Sequence, residues 1–232
     1  IWERIIQNLI SKSSHHFVNG SFSERFYNFT TAYQLKSTVQ ISDFSQEFGE
    51  FKVPDEAELI SITQNETSIG YSFNPDKIKN IRENNSEKLI ALDLVSAVPS
   101  IPVDLSQIDT AYFSVQKCFG LPAGIGVWIV GPKCLEVSKA KASKNEIVGS
   151  YHSLAALKKN GDKNQTPETP NVLNIYLLKN VLKDMQLRGI SSIQNETKYK
   201  AALLYQTFDQ ITELKTVIPH RVNRSKTVCV SE

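Results

Sequence analysis

The sequence predicts an α/β fold in which a mostly parallel sheet is sandwiched between helices. Short apolar runs, typical of buried parallel strands, alternate with helical segments along the 232 residues. With 41% hydrophobic residues, the chain can form one sizeable core, or one large domain and part of another. It contains no internal repeat, so a repeat architecture is not expected.

The spacing of apolar residues assigns the individual elements. Strands are predicted at 17–18, 39–41, 58–63, 88–95, 110–115, 124–130 and 227–231. Helices are predicted at 1–10, from Ser21 onward, and at 132–143, 171–188 and 193–211. Ser21 and Glu24 form an S-x-x-E capping box at the start of the second helix. The stretch 77–87 is predicted as helix or loop, and 158–170, with two prolines, as loop. Because no helical gap precedes 124–130, that strand can return antiparallel.

The composition argues against several classes of function. The 26 basic and 24 acidic residues leave a net charge of +2, which gives no support to a nucleic-acid partner. The longest apolar runs are far too short to span a bilayer, so no membrane partner is expected. The three cysteines are widely spaced and lack a CxxC or Cys/His pattern. This indicates no metal site and a reducing, cytoplasmic location.

A glycine and several polar residues lie near or just after the ends of four predicted strands. They are Gly20, Asn65, Thr67, Asp93, Gln116 and Lys117. Because ligands in open α/β sheets bind beyond the carboxyl ends of the strands, we expect these residues to meet at one edge. An acid and a lysine there suit pyridoxal 5′-phosphate, which needs an amine to form a Schiff base and a carboxylate to keep its pyridine nitrogen protonated. The apolar strand around Asp93 also predicts a cationic partner for this carboxylate.

The segment 93–124 carries a family resemblance. Asp93 precedes Lys117 by 24 positions (117 − 93 = 24), Pro102-Val103-Asp104 lies between them, and Gln116 directly precedes the lysine. This pattern resembles the cofactor-lysine region of class V aminotransferases, and among them most closely that of phosphoserine aminotransferases. The resemblance implies the large domain of a fold type I pyridoxal-phosphate-dependent transferase. It also implies that Lys117 holds the cofactor as a Schiff base, with Asp93 and Gln116 binding it.

Further motifs extend the resemblance over nearly the whole chain. Asn65-Glu66-Thr67 with Gly70 resembles the family's N-E-T-x-x-G, which implies that Thr67 hydrogen-bonds the ring hydroxyl of the cofactor. Gly20-Ser21-Phe22 resembles its glycine-x-tryptophan, which implies that Phe22 stacks on the pyridine ring. Gln165-Thr166-Pro167 resembles an N-T-P element. That element implies a homodimer in which Gln165 and Thr166 bind the cofactor phosphate of the neighbouring subunit.

The resemblance also implies domain limits. Asn223-Arg224-Ser225 resembles the N-R-S segment where the small domain of the family begins. We therefore expect residues 1–213 to belong to the large cofactor-binding domain and residues 214–232 to begin a small C-terminal α/β domain.

The sequence departs from the family pattern at several positions. Phe22 replaces tryptophan, Ile101 replaces the arginine of the family's R-P-[VI]-D element, and Gln165 stands where asparagine is usual. The glycine-rich segment that wraps the phosphate would lie before Ile1. The basic residues that hold the substrate would lie before Ile1 or after Glu232. We therefore expect a family member truncated at both ends.

The implied activity is transamination between an amino acid and a 2-oxo acid, most closely phosphoserine and 2-oxoglutarate in serine biosynthesis. Two alternatives stay open: another class V enzyme, such as an alanine–glyoxylate aminotransferase, and a non-catalytic dimeric homologue. A desulfurase is disfavoured, because that group places a histidine before the lysine and this chain has Gln116.

Each candidate residue also has a structural interpretation. Taken alone, Lys117 is a surface charge, Asp93 a helix or turn cap, Phe22 a core residue, and Thr67 a cap of the turn that follows it. Four histidines lack metal-ligand spacing and are expected at the surface or in structural roles: His15, His16, His152 and His220.

Overall fold

A six-stranded sheet lies at the centre of the protein in a computed structural model that describes residues 1–43, 48–150 and 152–232. Its strands are β1 (Ser14–Val18), β2 (Thr38–Ile41), β3 (Leu59–Thr63), β6 (Leu89–Asp93), β7 (Thr110–Ser114) and β8 (Gly126–Val130). A separate hairpin contains β4 (Asn65–Glu66) and β5 (Tyr71–Ser72). The sheet order is β2-β1-β3-β6-β7-β8; only β8 pairs antiparallel within this sheet. The predicted, mostly parallel sheet with an antiparallel return is confirmed.

Helices lie on both sides of this sheet. They are α1 (Trp2–Leu9), α2 (Ser21–Ala32), α3 (Pro75–Asn84), α4 (Pro132–Ser143), α5 (Leu154–Gly161), α6 (Val172–Arg188) and α7 (Ile190–Gln210). Short 3-10 turns occur at Leu105–Gln107 and Arg221–Asn223. Gly189 joins α6 to α7 with a φ of 81°, a conformation that glycine adopts without strain. No helix within the described ranges is long and apolar enough to cross a membrane.

The alternation of side chains along the strands divides the core into two layers. Leu59, Leu89, Ala91 and Tyr112 pack with the apolar faces of α1, α2 and α4. Their neighbours along β3, β6 and β7 point to the opposite face, where they pack with α3 and the β4–β5 hairpin: Ile60, Ile62, Ile90, Leu92 and Ala111. Because Asp93 follows Leu89 and Ala91 with period two, its carboxylate faces the α1–α2 layer.

The capping box predicted at Ser21 is wrong. The N-cap of α2 is Gly20, and Ser23 Oγ accepts a hydrogen bond from the Gly20 N–H at 3.2 Å. The carboxylate of Glu66 accepts from the Ser23 N–H at 2.9 Å, and the Ser21 N–H, which the predicted box pairs with Glu24, donates to Ser68 Oγ at 3.0 Å. A buried acid from a distant strand therefore caps this helix, and local spacing does not predict such a contact.

Two other predicted segments differ from the structure. The loop predicted from residue 158 begins as helix, because α5 starts at the Ser153 N-cap and ends at Gly161. The strand predicted at 227–231 forms only an isolated bridge between Thr216 and Ser231. At its start, the Thr227 N–H donates to the Ser225 hydroxyl rather than to a neighbouring strand.

His15 and His16 lie in β1 and are buried, so the structural interpretation of these two histidines is confirmed and the surface interpretation is wrong.

Candidate active site

Three side chains line up across the sheet where the strands end. Thr63 of β3 pairs with Asp93 of β6, and Asp93 pairs with Tyr112 of β7. Since paired residues of neighbouring parallel strands point to the same face, all three side chains face the α1–α2 layer. Asp93 is thereby placed at the centre of the row.

Asp93 is a buried acid that forms no ion pair with a described cationic residue. It is 5% exposed, and burial raises the pKa of its carboxyl from 3.8 to about 6. The Val95 N–H (2.8 Å) and the Tyr112 hydroxyl oppose this rise in pKa by donating hydrogen bonds, whereas the charge of Glu66 adds to it. In the part of the chain that the structure describes, no lysine, arginine or histidine forms an ion pair with Asp93. The cationic partner predicted for it is therefore not a described residue.

Tyr112 links Asp93 to the first helix. The indole Nε1–H of Trp2 donates to the Tyr112 hydroxyl oxygen, which leaves the hydroxyl proton for Asp93. Trp2 is held in turn by stacking on Phe26, with ring centroids 5.6 Å apart and an interplanar angle of 10°. These contacts, which run from Phe26 through Trp2 to Tyr112, orient the carboxylate of Asp93.

Thr67 belongs to a network of hydroxyls and amides beside the row. Its Oγ1 donates to Ser96 Oγ at 2.8 Å, and Ser96 Oγ donates to the backbone oxygen of Asn65 at 3.0 Å. Asn65 Nδ2 donates to Ser96 Oγ at 2.8 Å and to Thr227 Oγ1 at 3.2 Å. Because the proton of Thr67 is directed at Ser96, the free lone pair of its Oγ1 can accept a hydrogen bond from a hydroxyl on a ligand.

Lys117 lies in the turn that follows β7. The Gly120 N–H donates to the Lys117 backbone oxygen at 2.9 Å, and the Leu121 N–H closes the turn onto the Val115 oxygen at 3.2 Å. The neighbouring Cys118 is half-buried, and burial raises the pKa of its thiol. The thiol is therefore protonated at neutral pH and is a poor nucleophile.

These residues surround one cavity of about 150 Å³. It is lined by Trp2, Phe22, Thr63, Asn65, Thr67, Asp93, Val95, Ser96 and Lys117. The volume lies below the roughly 300–1,000 Å³ of typical small-molecule pockets, so the cavity suits one aromatic ring rather than a large ligand. Larger cavities exist, including one of about 260 Å³ between α7 and residues 221–226, but their lining includes neither Lys117 nor Asp93.

Four of the predicted site residues meet in this cavity and three do not. Phe22, Thr67, Asp93 and Lys117 line it. Gln116 is exposed and outside the lining, although it precedes Lys117. Gln165 and Thr166 are exposed in the segment after α5, where Thr166 Oγ1 donates to the Glu168 oxygen at 2.7 Å. The roles of all seven residues stay predictions.

The lining fits pyridoxal 5′-phosphate. A buried acid without a cation suits a protonated pyridine nitrogen, because the positive charge would restore the charged form of Asp93. Phe22 supplies an aromatic face, Thr67 an acceptor for a ring hydroxyl, and Lys117 an amine on the same cavity. Aromatic, acidic, hydroxyl and amine groups thus occur together in a space of ring size.

Sequence reasoning missed three residues that shape the site. Trp2 lines the cavity, Tyr112 holds Asp93, and Ser96 binds Thr67. If the strands that carry Asp93 and Tyr112 are taken as parallel neighbours, the alternation of side chains along β7 predicts that Tyr112 lies on the same face of the sheet as Asp93. Trp2 and Ser96 carry no such signal, since a helical tryptophan is usually a core residue and a serine after a strand is common.

Comparison with known proteins decides the family. The family described as aminotransferase class-V matches residues 36–231. The chain belongs to this family. The cofactor of this family is pyridoxal 5′-phosphate, which agrees with the lining of the cavity.

Individual relatives and solved structures match nearly the whole chain. A phosphoserine aminotransferase of Corynebacterium glutamicum is 29% identical over 234 residues, which cover 98% of this chain and 60% of that protein. The crystal structure of a phosphoserine aminotransferase from Cytophaga hutchinsonii is 41% identical with a TM-score of 0.94, covering 97% of this chain and 63% of that one. An alanine–glyoxylate aminotransferase from Nostoc sp. has a TM-score of 0.85 at 17% identity, covering 99% and 62% of the two chains, which shows the fold alone. The chain spans about 60% of the length of the curated class V relative from Corynebacterium.

Proposed function

We propose that this chain binds pyridoxal 5′-phosphate in the cavity beside Asp93 and that the protein catalyses transamination. One observation carries the proposal: a lysine and a buried carboxylate, which has no ion-pair partner among the described residues, line the same ring-sized cavity. Perturbed acids in clefts are candidates for functional groups, because burial of an unpaired charge is costly unless a ligand recovers the cost.

Each of three cavity residues has its own role in the proposed reaction. The cofactor, when bound, supplies the electron sink that makes loss of a substrate α-proton feasible. Asp93 holds a proton at the pyridine nitrogen, and Phe22 covers one face of the ring and excludes water. Lys117 Nζ would hold the cofactor and would move the α-proton as a general base.

The proposed substrates are phosphoserine and 2-oxoglutarate. Support comes from the phosphoserine aminotransferases of Corynebacterium and Cytophaga, which resemble this chain over 98% and 97% of its length. We expect the protein to form glutamate from this substrate pair, with alanine and glyoxylate as the control pair. Activity with the control pair alone would reassign the enzyme to the alanine–glyoxylate type.

The proposal includes a cytoplasmic homodimer. Apolar residues at the start of α6 are unusually exposed for their type: Val172 is 65%, Leu173 67% and Tyr176 62% exposed. Patches of this kind mark interaction surfaces, and this one follows directly on the segment that carries Gln165 and Thr166. A two-fold dimer would bring that segment to the site of the partner subunit. Three free cysteines support a reducing compartment.

The proposal also includes the division of the chain at residue 214. The bridge between Thr216 and Ser231 supports it, because this pairing joins two parts of the segment 214–232 to each other.

Borohydride trapping tests the cofactor site. We expect the protein with pyridoxal phosphate to show a visible absorbance band and, after reduction, a mass increase on the peptide that contains Lys117. Lys117→Ala should lose both signals while the fold is kept. Lys144→Ala is the matched control, because Lys144 is an exposed lysine at the end of α4, and it should behave like the wild type. A label on another lysine, or a label that persists in Lys117→Ala, would contradict the assignment.

A further inference from the structure

We propose that Glu66 is a positioning residue that holds Phe22 at a fixed place relative to Thr67. Phe22, which covers the face of the bound ring, and Thr67, which binds its edge, are then kept in one fixed geometry. This inference rests on the proposed function, because it assumes that the ring of pyridoxal phosphate occupies the cavity. Glu66 itself lies outside the lining of the cavity.

The carboxylate of Glu66 is fully buried at the start of α2. It is 0% exposed and accepts hydrogen bonds from the Ser23 N–H at 2.9 Å, the Ser23 hydroxyl at 3.0 Å and the Phe22 N–H at 3.3 Å. A negative charge at a helix N-terminus is also favoured by the helix dipole. The first turn of α2, which carries Phe22, is thus fixed by a residue of another element, β4.

Ser68 makes a second connection between the same two segments. Its hydroxyl donates to Glu66 Oε1 at 2.7 Å and accepts from the Ser21 N–H at 3.0 Å. The side chains of residues 66 and 68 therefore bind the start of α2, and Thr67 between them faces the cavity. This alternation couples Thr67 to Phe22 through side-chain hydrogen bonds of 2.7 to 3.3 Å between the two segments.

Gly20 shows how closely the two segments fit. A Cβ atom at this position would lie 2.5 Å from Glu66 Cγ and 2.7 Å from Glu66 Cδ. The side chain of Glu66 cannot move away without losing its bonds to Ser23 and Phe22. The glycine at the N-cap is therefore required by contact with Glu66, since its φ of −175° is open to any residue.

A double-mutant cycle tests this inference. Isothermal titration with pyridoxamine 5′-phosphate measures binding without a covalent bond to Lys117, because this compound carries an amine in place of the aldehyde. Loss of the aromatic contact in Phe22→Ala should weaken binding between about 2- and 10-fold. Glu66→Gln should weaken it within the same range in the wild-type background and by less than about 2-fold in the Phe22→Ala background.

Glu58→Gln is the matched control. Glu58 also accepts backbone N–H groups, from Ser11 at 2.7 Å and Lys12 at 2.8 Å, but it precedes β3 at the opposite end of the sheet. We expect this variant to lose stability and keep its affinity for pyridoxamine phosphate. Where Glu66→Gln does not fold, Ser68→Ala replaces it in the same cycle, because it removes one connection and leaves the carboxylate in place.

The outcomes are distinguishable. Additive effects of Glu66→Gln and Phe22→Ala, or unchanged affinity in Glu66→Gln, would overturn the positioning role and leave the proposed function intact. A wild type that does not bind pyridoxamine phosphate would overturn the proposed function and the positioning role with it. Amide hydrogen exchange of the ligand-free protein gives a readout that does not depend on the cofactor: Phe22 and Ser23 should exchange faster in Glu66→Gln, and unchanged rates would refute the contact.

Discussion

Asp93→Asn should stabilise the ligand-free protein at neutral and alkaline pH. Burial raises the pKa of this carboxyl from 3.8 to about 6, so its charged form is disfavoured in the folded state. That difference corresponds to about 3 kcal/mol of folding free energy. Asparagine removes the charge and keeps the shape. Its Oδ1 can still accept from the Val95 N–H, and its Nδ2 can donate to the Tyr112 hydroxyl oxygen.

The sign of the effect depends on pH. Below about pH 4, Asp93 is protonated in both the unfolded and the folded protein, and the two proteins should be equally stable. Between about pH 4 and 6, the unfolded state releases its proton and the folded state keeps it, so the wild type loses stability relative to the variant. Above about pH 6, the difference should reach its full value of about 3 kcal/mol.

Urea denaturation of the ligand-free wild type and variant at several pH values measures this difference. His15 and His16, whose pKa values are lowered by burial to about 4 and about 3, destabilise both proteins alike at acid pH and cancel in the comparison. Asp184→Asn, at an exposed aspartate of α6, should change stability by less than about 0.5 kcal/mol. Equal stability of wild type and Asp93→Asn at pH 8 would refute the view that Asp93 is held at a cost in the empty site.

The same variant should bind the cofactor less well and lose most of its turnover. A cation at the pyridine nitrogen would recover the cost of the buried carboxylate, whereas a neutral amide offers no such gain. Because electrostatic stabilisation grows as charge develops on the ring, turnover should fall more than affinity. Asp93 thus destabilises the ligand-free protein, and the same residue should strengthen binding of the cofactor.

Two further predictions concern Asp93 and the proposed dimer. Burial is the main cause of the raised pKa of Asp93, and the hydrogen bond from the Tyr112 hydroxyl opposes this rise. Tyr112→Phe should therefore raise the pKa of Asp93 further and move the pH dependence of cofactor binding to higher pH. Titrations of cofactor binding across the pH range measure this shift. Mixing Lys117→Ala with a protein altered at both Gln165 and Thr166 should restore activity, because a heterodimer would contain one site with all three residues. No gain in activity after proven subunit exchange would contradict a shared site.

The strand ends were predictable because burial and alternation leave few choices. The apolar stretch 88–95 contains β6, and the residues after it reach the edge where the ligand site was expected. Lys117 and Asp93 are recognisable for a second reason, since the chemistry of the cofactor requires an acid and an amine, and the spacing of these two residues resembles that of class V aminotransferases. Both constraints act on short pieces of sequence, and they place these two residues at one cavity.

Segments that depend on distant partners were not predictable in the same way. The start of α2 was assigned to a local capping box, but its donors bind Glu66, which lies 43 positions beyond Ser23. The residues 227–231 have the composition of a strand, yet one of their hydroxyls, Thr227 Oγ1, donates to the Ser96 oxygen at 2.6 Å. Propensity describes what a segment can form alone, whereas these contacts depend on what the fold brings beside it.

The groups that orient Asp93 also depend on partners that are distant in the sequence. Trp2 meets Tyr112 across 110 positions, and Tyr112 reaches Asp93 only because β7 pairs with β6 in one register. A shift of that register by one residue would turn the hydroxyl to the opposite face and leave the carboxylate supported by Val95 alone. Register is fixed in turn by the alternating apolar residues of both strands. The orientation of the functional acid is therefore a consequence of core packing, and substitutions in the β6–β7 core should alter cofactor binding without contacting the cavity.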